Sequence, residues 1–290
     1  LSARDARELL DGHLDEFRDW LAREGLYVAI INGFPFGAFH RSVVKAEVYA
    51  PAWTEDERVR YTLDLVEILA ALLPAGLDGG VSTAPLSYKA WLPASDTAGW
   101  RAATTNVIRV ASTMARLRRE RGIDVHLDIE PEPDCSIENT GETLAFFETW
   151  LLPIGIPILA RDLGITEDEA RADLLHHVRV CFDCCHFAVE YEDPLVALDR
   201  LASSGIQIGR VQLSSALRVV MPQDAAAQAR VTGRLRPFDD ATYLHQVIAR
   251  RTDRLEHFPD LGDAIAACHG DCGSEWRIHF HVPLFTRDYD

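Results

Sequence analysis

Val180-Cys181-Phe182-Asp183-Cys184-Cys185-His186 is a short apolar run that ends in an acid and, three residues later, a histidine. A helical pattern over about 166–178 lies immediately upstream. Runs of the same kind recur along the chain. Glu130 and Glu132 close one, Gln212 and Ser214 another, and His279 and His281 the last. Apolar strands that each finish in a different ligand-type residue are the pattern of a barrel whose site is assembled from strand ends.

Working outward, helical spacing covers residues 4–22, and Leu26 to Ile31 reads as a buried strand that runs into Asn32-Gly33-Phe34-Pro35-Phe36-Gly37. A helix follows over about 55–73, with Thr54 as its expected N-cap and Glu57 in the capping-box position. Gly79 to Thr83 is a short strand, 98–120 a long amphipathic helix, and Val125 to Glu130 the next strand. Helices over 141–161 and 166–178 lead to the Asp183 strand, with Thr166 before the second of them. A helix at 194–203, a strand from Ile206 to Leu213, helical segments at 222–231, 239–250 and 258–268, and a strand from Trp276 to Val282 complete the pattern. Connections of this length favour parallel strands with helical crossovers. No GxGxxG and no P-loop follows any strand, which argues against a Rossmann fold. Six strands are two short of a closed barrel.

Composition bounds the functions open to the chain. At 290 residues it can bury a full core as one domain over 1–290. The formal charge of −16, from 29 basic and 45 acidic side chains, repels phosphate backbones, so no nucleic-acid partner is expected. Arg116, Arg118, Arg119 and Arg121 fall at a helix end, where the dipole favours cations, and read as a solvated face. The 6 cysteines are too sparse for a disulfide framework. No apolar run is long enough to span a bilayer, the nearest being Trp150 to Ala160 with its two prolines. With no signal peptide at its start, the chain is expected in the cytoplasm.

Strand alternation selects the residues that share a face. His126, Asp128 and Glu130 point one way, and three ionisable groups on one face demand pairing, a metal or exposure. Asp183 and His186 could hold a divalent cation or act as a proton-transferring pair. Cys181-x-x-Cys184 with Cys268 and Cys272 offers a less favoured zinc thiolate set, because 181 and 184 face opposite sides of an extended strand. Gln212 and Ser214 share a face, as do His279 and His281. Only two basic residues are lysines, Lys45 and Lys89, and Lys89 follows a strand. Lys89 and Arg218 are candidates for neutralising charge on a substrate, and Asn32, Phe34, His126 and Ser214 for contacting it.

Four stretches together resemble the metabolite traffic protein EboE family. These are Asn32 to His40, Leu127 to Pro133, Asp183 to Glu190 and His279 to Phe285. That family is similar to the xylose-isomerase-like TIM barrels. The resemblance implies an α/β TIM barrel, and family members carry an opening strand before the first helix seen here, so one or two N-terminal strands would be missing. It also implies a divalent ion (Mn²⁺, Zn²⁺, Co²⁺ or Mg²⁺) held at strand ends. Glu130 stands where the first glutamate is expected, Asp183 at the aspartate and His186 at the histidine after it. Gln212 replaces a usual histidine, and His281 takes the place of the last acid. The expected ligands are therefore Glu130, Asp183, Gln212 and His281, with Glu132, His186 and His279 as proton-transfer groups.

The implied activity is metal-dependent isomerisation or epimerisation of a sugar-like or polyol molecule. The alternative is a barrel that binds and hands over a metabolite without turning it over, with pathway proteins as its partners. A metal-dependent hydrolase is a weaker reading, since such barrels carry His-x-His on the first strand rather than the last.

Overall fold

The computed structural model describes residues 1–37, 45–239, 242–269, 271–282 and 285. Five strands form one parallel sheet: β1 (Ile30–Asn32), β2 (Asp78–Thr83), β3 (Asp124–Ile129), β4 (Val178–Asp183) and β5 (Ile208–Gln212). Each pairs with the next in chain order. A doubly wound sheet reverses its order partway, and this one does not. The sheet curls into half a barrel, far enough that Arg210 Nη1 on β5 donates to Ser82 Oγ on β2 at 3.1 Å. The concave face is crowded. A Cβ at Gly209 would fall 1.8 Å from Asp128 Oδ1 and one at Gly80 2.3 Å from Oδ2, so both strands need glycine opposite that carboxyl.

Helices cover the convex face. α1 (Ala3–Glu8) and α2 (Leu14–Glu24) are broken apart at Gly12, whose φ of 120° no L-residue adopts easily. α3 (Asp56–Leu72) and α4 (Thr97–Arg121) are the two crossovers that join β1 to β2 and β2 to β3. α5 (Thr140–Ala145) continues through a π turn into α6 (Leu152–Leu163), followed by α7 (Glu167–His177). Thr166 caps α7 in a full capping box with Glu169, as its sequence signals. Thr54 does not cap α3. Glu55 holds that position, with its Oε1 accepting from Ala52 N. The Thr140–Leu163 rod is long and apolar enough to cross a membrane, contrary to the sequence expectation, but it packs on α4 and α7 as a core helix does.

Beyond β5 the sequence reading needs correction. Four strands form an antiparallel sheet of order β6-β9-β7-β8, comprising β6 (Ser215–Val220), β7 (Val247–Arg250), β8 (Leu255–Phe258) and β9 (Glu275–Val282). The expected helix over 239–250 is thus replaced by β7 at its end. Leu244, Val247 and Ile248 mimic helical spacing, yet Val-Ile in a hairpin pairs edge to edge with β8. β9 lies where expected but runs antiparallel, between β6 and β7. Cys184 and Cys185 leave the strand and open α8 (Cys184–Val189), which is followed by α9 (Pro194–Ser203). The later helices are α10 (Ala225–Leu235) and α11 (Leu261–Ala267). Cys268 and Cys272 are joined in a disulfide, which removes them from any zinc set with Cys181 and Cys184.

The antiparallel sheet docks on α8. Cys185 and Val189 pack against Ile248 and Ala216, Arg277 Nη1 donates to Ala188 O at 2.7 Å, and Tyr191 OH donates to Glu275 O at 3.0 Å. This docking brings β9 over the C-terminal ends of β3 and β4. On the other side, fully buried Arg58 of α3 fixes the segment after β1. Its Nε donates to Pro51 O at 2.8 Å, and its Nη1 to Gly33 O and Phe34 O at 3.0 Å each. Arg58→Met leaves those carbonyls unpaired in the interior. It should cost about 2–4 kcal/mol of unfolding free energy in urea titrations, and a loss below about 0.5 kcal/mol would contradict the clamp.

Candidate metal centre and cavity

Asp183 ends β4 and caps α8, so its carboxylate sits where the chain turns from strand to helix. Its Oδ1 accepts from Cys185 N at 2.8 Å and from Ser214 Oγ at 2.6 Å, and Gln212 Nε2 donates to Oδ2. One turn into α8, the His186 ring lies 3.8 Å from Oδ2 through its Nε2. β9 brings two further rings from the opposite side. His279 Nε2 is 3.1 Å from His186 Nε2 and 3.1 Å from His281 Nε2, and His281 Nδ1 is 3.9 Å from Asp183 Oδ2.

The tautomers of two rings follow from partners that cannot donate. His186 Nδ1 is 2.8 Å from the carbonyl of Pro131, so Nδ1 carries the hydrogen and Nε2 a lone pair. Gln246 Nε2 donates to the carbonyl of Pro133 at 3.1 Å, which turns Gln246 Oε1 toward His279 Nδ1, 2.6 Å away. His279 Nδ1 is therefore also the donor, and its Nε2 a second lone pair. His281 Nε2 can donate to His279 Nε2, which still leaves the His186 Nε2 lone pair facing the same atom. Two imidazole lone pairs at this distance repel unless a cation lies between. That cation is not readily a proton. Burial, opposed by Asp183 and aided by His281, lowers the His186 pKa, and burial with His186 and His281 holds His279 well below the usual range. Ligands on one zinc-sized ion, about 2.0–2.1 Å away each, stand about 3–3.4 Å apart, and the observed spacing fits. The clusters Asp183–His186–His281 and Glu132–His186–His279 each bring three ligand atoms within 4.8 Å of one another.

The cluster opens on a cavity of about 1230 Å³ lined by Asn32, Phe34, Phe36, Tyr49, Glu130 and Glu132 along with the three histidines. Tyr49 OH donates to Glu132 Oε1 at 2.8 Å, yet burial raises the Glu132 carboxyl to about 8. Glu130 is likewise raised to about 8, by burial and then by Asp183, with Arg210 opposing. Its Oε2 is buried without a partner among the described residues. Asn32 Oδ1 accepts from Phe34 N at 3.0 Å, while its Nδ2 donates to nothing among the described residues.

Of the expected site residues, Asn32, Phe34, Glu130, Glu132, Asp183, His186, His279 and His281 gather at this end of the sheet. Ser214 and Gln212 do so as partners of Asp183. Both ends of the Gln212 amide are occupied, since Oε1 accepts from Arg210 Nη2 at 2.7 Å. The other three lie elsewhere. Lys89 is paired with Glu138 and Glu142, Arg218 with Glu275 at 2.7 Å, and His126 is buried against Asp128 at 2.6 Å without reaching the cavity. Lys89 and Arg218 are consumed by nearer acids, which strand position alone does not reveal. Tyr49 and Gln246 escaped the sequence reading. The only hint of Gln246 is a polar residue just before the β-branched Val247-Ile248.

These features define an α/β protein with a curled parallel sheet and a histidine–carboxylate cluster at its strands' C-terminal ends. A scan against protein-family models finds no match for the chain, and a search of curated proteins finds none either. The family resemblance rests on the quoted motifs, of which Ala38, Phe39, His40, Pro283 and Leu284 lie outside the described residues.

Glu130 predicts a pH dependence. Below its ordinary value of 4.5 the carboxyl is protonated in both the folded and unfolded chain. Between 4.5 and about 8 the unfolded chain releases the proton and the folded one keeps it, so stability falls as pH rises. Glu130→Gln has no proton to lose. In chelator-treated protein its stability relative to wild type should improve between pH 5 and 8 by on the order of a few kcal/mol. A difference flat with pH in denaturant titrations would refute the burial argument.

Proposed function

We propose that the chain is a metal-dependent enzyme, residues 1–290 forming one unit around the cavity, in which His186, His279, His281 and Asp183 hold a first-row divalent cation. The observation that carries this reading is the pair of facing Nε2 lone pairs whose Nδ1 atoms are committed to carbonyl-anchored acceptors. Three imidazoles with one carboxylate favour Zn²⁺, Co²⁺ or Mn²⁺ over the all-oxygen ions Mg²⁺ and Ca²⁺. In this assignment Gln212 and Ser214 orient Asp183, and Glu130 stays outside the ligand set. When bound, the cation supplies Lewis-acid stabilisation of negative charge that develops on substrate oxygens.

The substrate class that fits is a small polyol or sugar-like carbonyl compound, and the reaction class isomerisation or epimerisation. Glu132 is held at its Oε1 by Tyr49 and lies 3.8 Å from His279, so it can take a proton from a substrate carbon and return it. Glu130 supplies a second carboxyl with an uncommitted oxygen for the opposite proton movement. Asn32 Nδ2 is a donor for a substrate hydroxyl, and Phe34 and Phe36 shield the reacting end from water. The cavity volume favours a second reading, that of a metabolite-binding and handover barrel of the traffic type, because small-molecule pockets span about 300–1,000 Å³ and this one is larger.

One experiment separates the two. Zinc- or cobalt-loaded protein is incubated in D₂O with a panel of aldoses, ketoses and keto-cyclitols, and proton NMR follows loss of the signal at carbon next to the carbonyl. Metal-dependent deuterium incorporation, lowered at least about 100-fold in Glu132→Gln with metal content unchanged, is the expected result. Metal uptake without exchange on any substrate would favour the handover barrel. No uptake by wild type, or full uptake by His279→Ala, would sink the metal assignment itself.

A further inference from the structure

A second group of ligand-type side chains stands apart from the cavity, where the C-terminal end of α8, the loop after β3 and strand β8 meet. Glu138, Glu190 and His257 each present a ligand atom there, all within 4.8 Å of one another. Glu190 is only 8% exposed and, among the described residues, its Oε1 is sealed from solvent with no partner and no hydrogen bond or ion pair engages its other oxygen.

The surrounding charge does not balance. Glu138 accepts from Asp134 N at 2.6 Å and pairs with the Lys89 ammonium, which also reaches Glu142 at 3.2 Å. Glu192 is engaged by Thr140, through N at 3.0 Å and Oγ1 at 2.8 Å. Lys89 is shared between Glu138 and Glu142, and among the described residues no cation is paired with Glu190. A cation satisfies the orphaned Glu190 oxygen and gives His257, exposed on β8, a role.

We propose that Glu138, Glu190 and His257 bind a second first-row divalent cation of the zinc class. Mixed carboxylate and imidazole donors suit such an ion better than Ca²⁺ or Mg²⁺, which prefer oxygen alone. The site joins the two sheets. His257 is in register with Ile248 of β7, and β7 pairs with β9, which carries His279 and His281. A cation here clamps the antiparallel sheet to the loop after β3 and fixes where those two rings lie. It shares no residue with the centre proposed above, so either assignment can fail alone.

The test is zinc stoichiometry on untagged, full-length protein, stripped with chelator, reloaded, desalted and measured by plasma mass spectrometry. Wild type should retain two equivalents, and Glu190→Gln or His257→Ala one each, with affinity for the lost ion at least about tenfold weaker. Glu190→Gln keeps the shape of the buried acid, and His257 is on the surface, so both variants are expected to fold. His279→Ala should still retain one equivalent and still gain Tm on adding zinc, a gain abolished when His257→Ala is added. If His279→Ala retains none, or if Glu190→Gln and His257→Ala both keep wild-type content, the second site is refuted. If wild type retains a single equivalent that is lost in Glu190→Gln and His257→Ala but kept in His279→Ala, the second site is supported and the first centre refuted.

Discussion

The amide of Gln246 ties the site together. Its nitrogen donates to Pro133 O on the loop after β3 and to Tyr49 OH at 3.0 Å, and its oxygen accepts from His279 Nδ1. Three distant parts of the chain converge on this one buried group, and its orientation is fixed because carbonyl oxygens cannot donate. Tyr49 in turn holds Glu132, so the position of the carboxyl and the tautomer of the imidazole share a single determinant. A side-chain amide with every polar atom used is rigid in a way that no apolar residue of its size could be.

The middle of the parallel sheet was readable because β2, β3 and β4 are almost wholly buried and bounded by strong helices. The expected buried strand Leu26 to Ile31 is reduced to β1, with Leu26 and Tyr27 exposed. β3, β4 and β5 fall within a residue or two of the limits read from the sequence, and Asp183 and His186 stand at the expected strand end. The antiparallel half was not. β6 has a half-exposed burial pattern, and β8 is four residues long with alternating exposure, so neither produces an apolar run. β7 carried helical spacing by coincidence. Strand pairing partners, unlike strand existence, depend on residues far away, and nothing local marks β9 as antiparallel.

The same distinction governs the site. The acids and histidines were visible as residue types at strand ends. Their division of labour was not, because it is set by second partners. Gln212 is expected as a metal ligand, but Arg210 and Asp183 occupy the two ends of its amide, and Lys89, expected to neutralise substrate charge, is paired with Glu138 and Glu142. His126 and Asp128 satisfy each other inside the half-barrel, where Gly80 and Gly209 make room for them. Burial told where polar groups needed partners, and only geometry told which partner each had.

The docking of β9 between β6 and β7 also orders events in time. β1 to β5 pair with successive neighbours along the chain, so each pairing closes a loop of one crossover. The three imidazoles come from positions 186, 279 and 281, and they meet only when the last strand slots between two earlier ones. Contacts of such long sequence separation form late. During synthesis the parallel sheet can therefore be complete while the histidine cluster does not yet exist, and any ion it takes is captured after the scaffold is made.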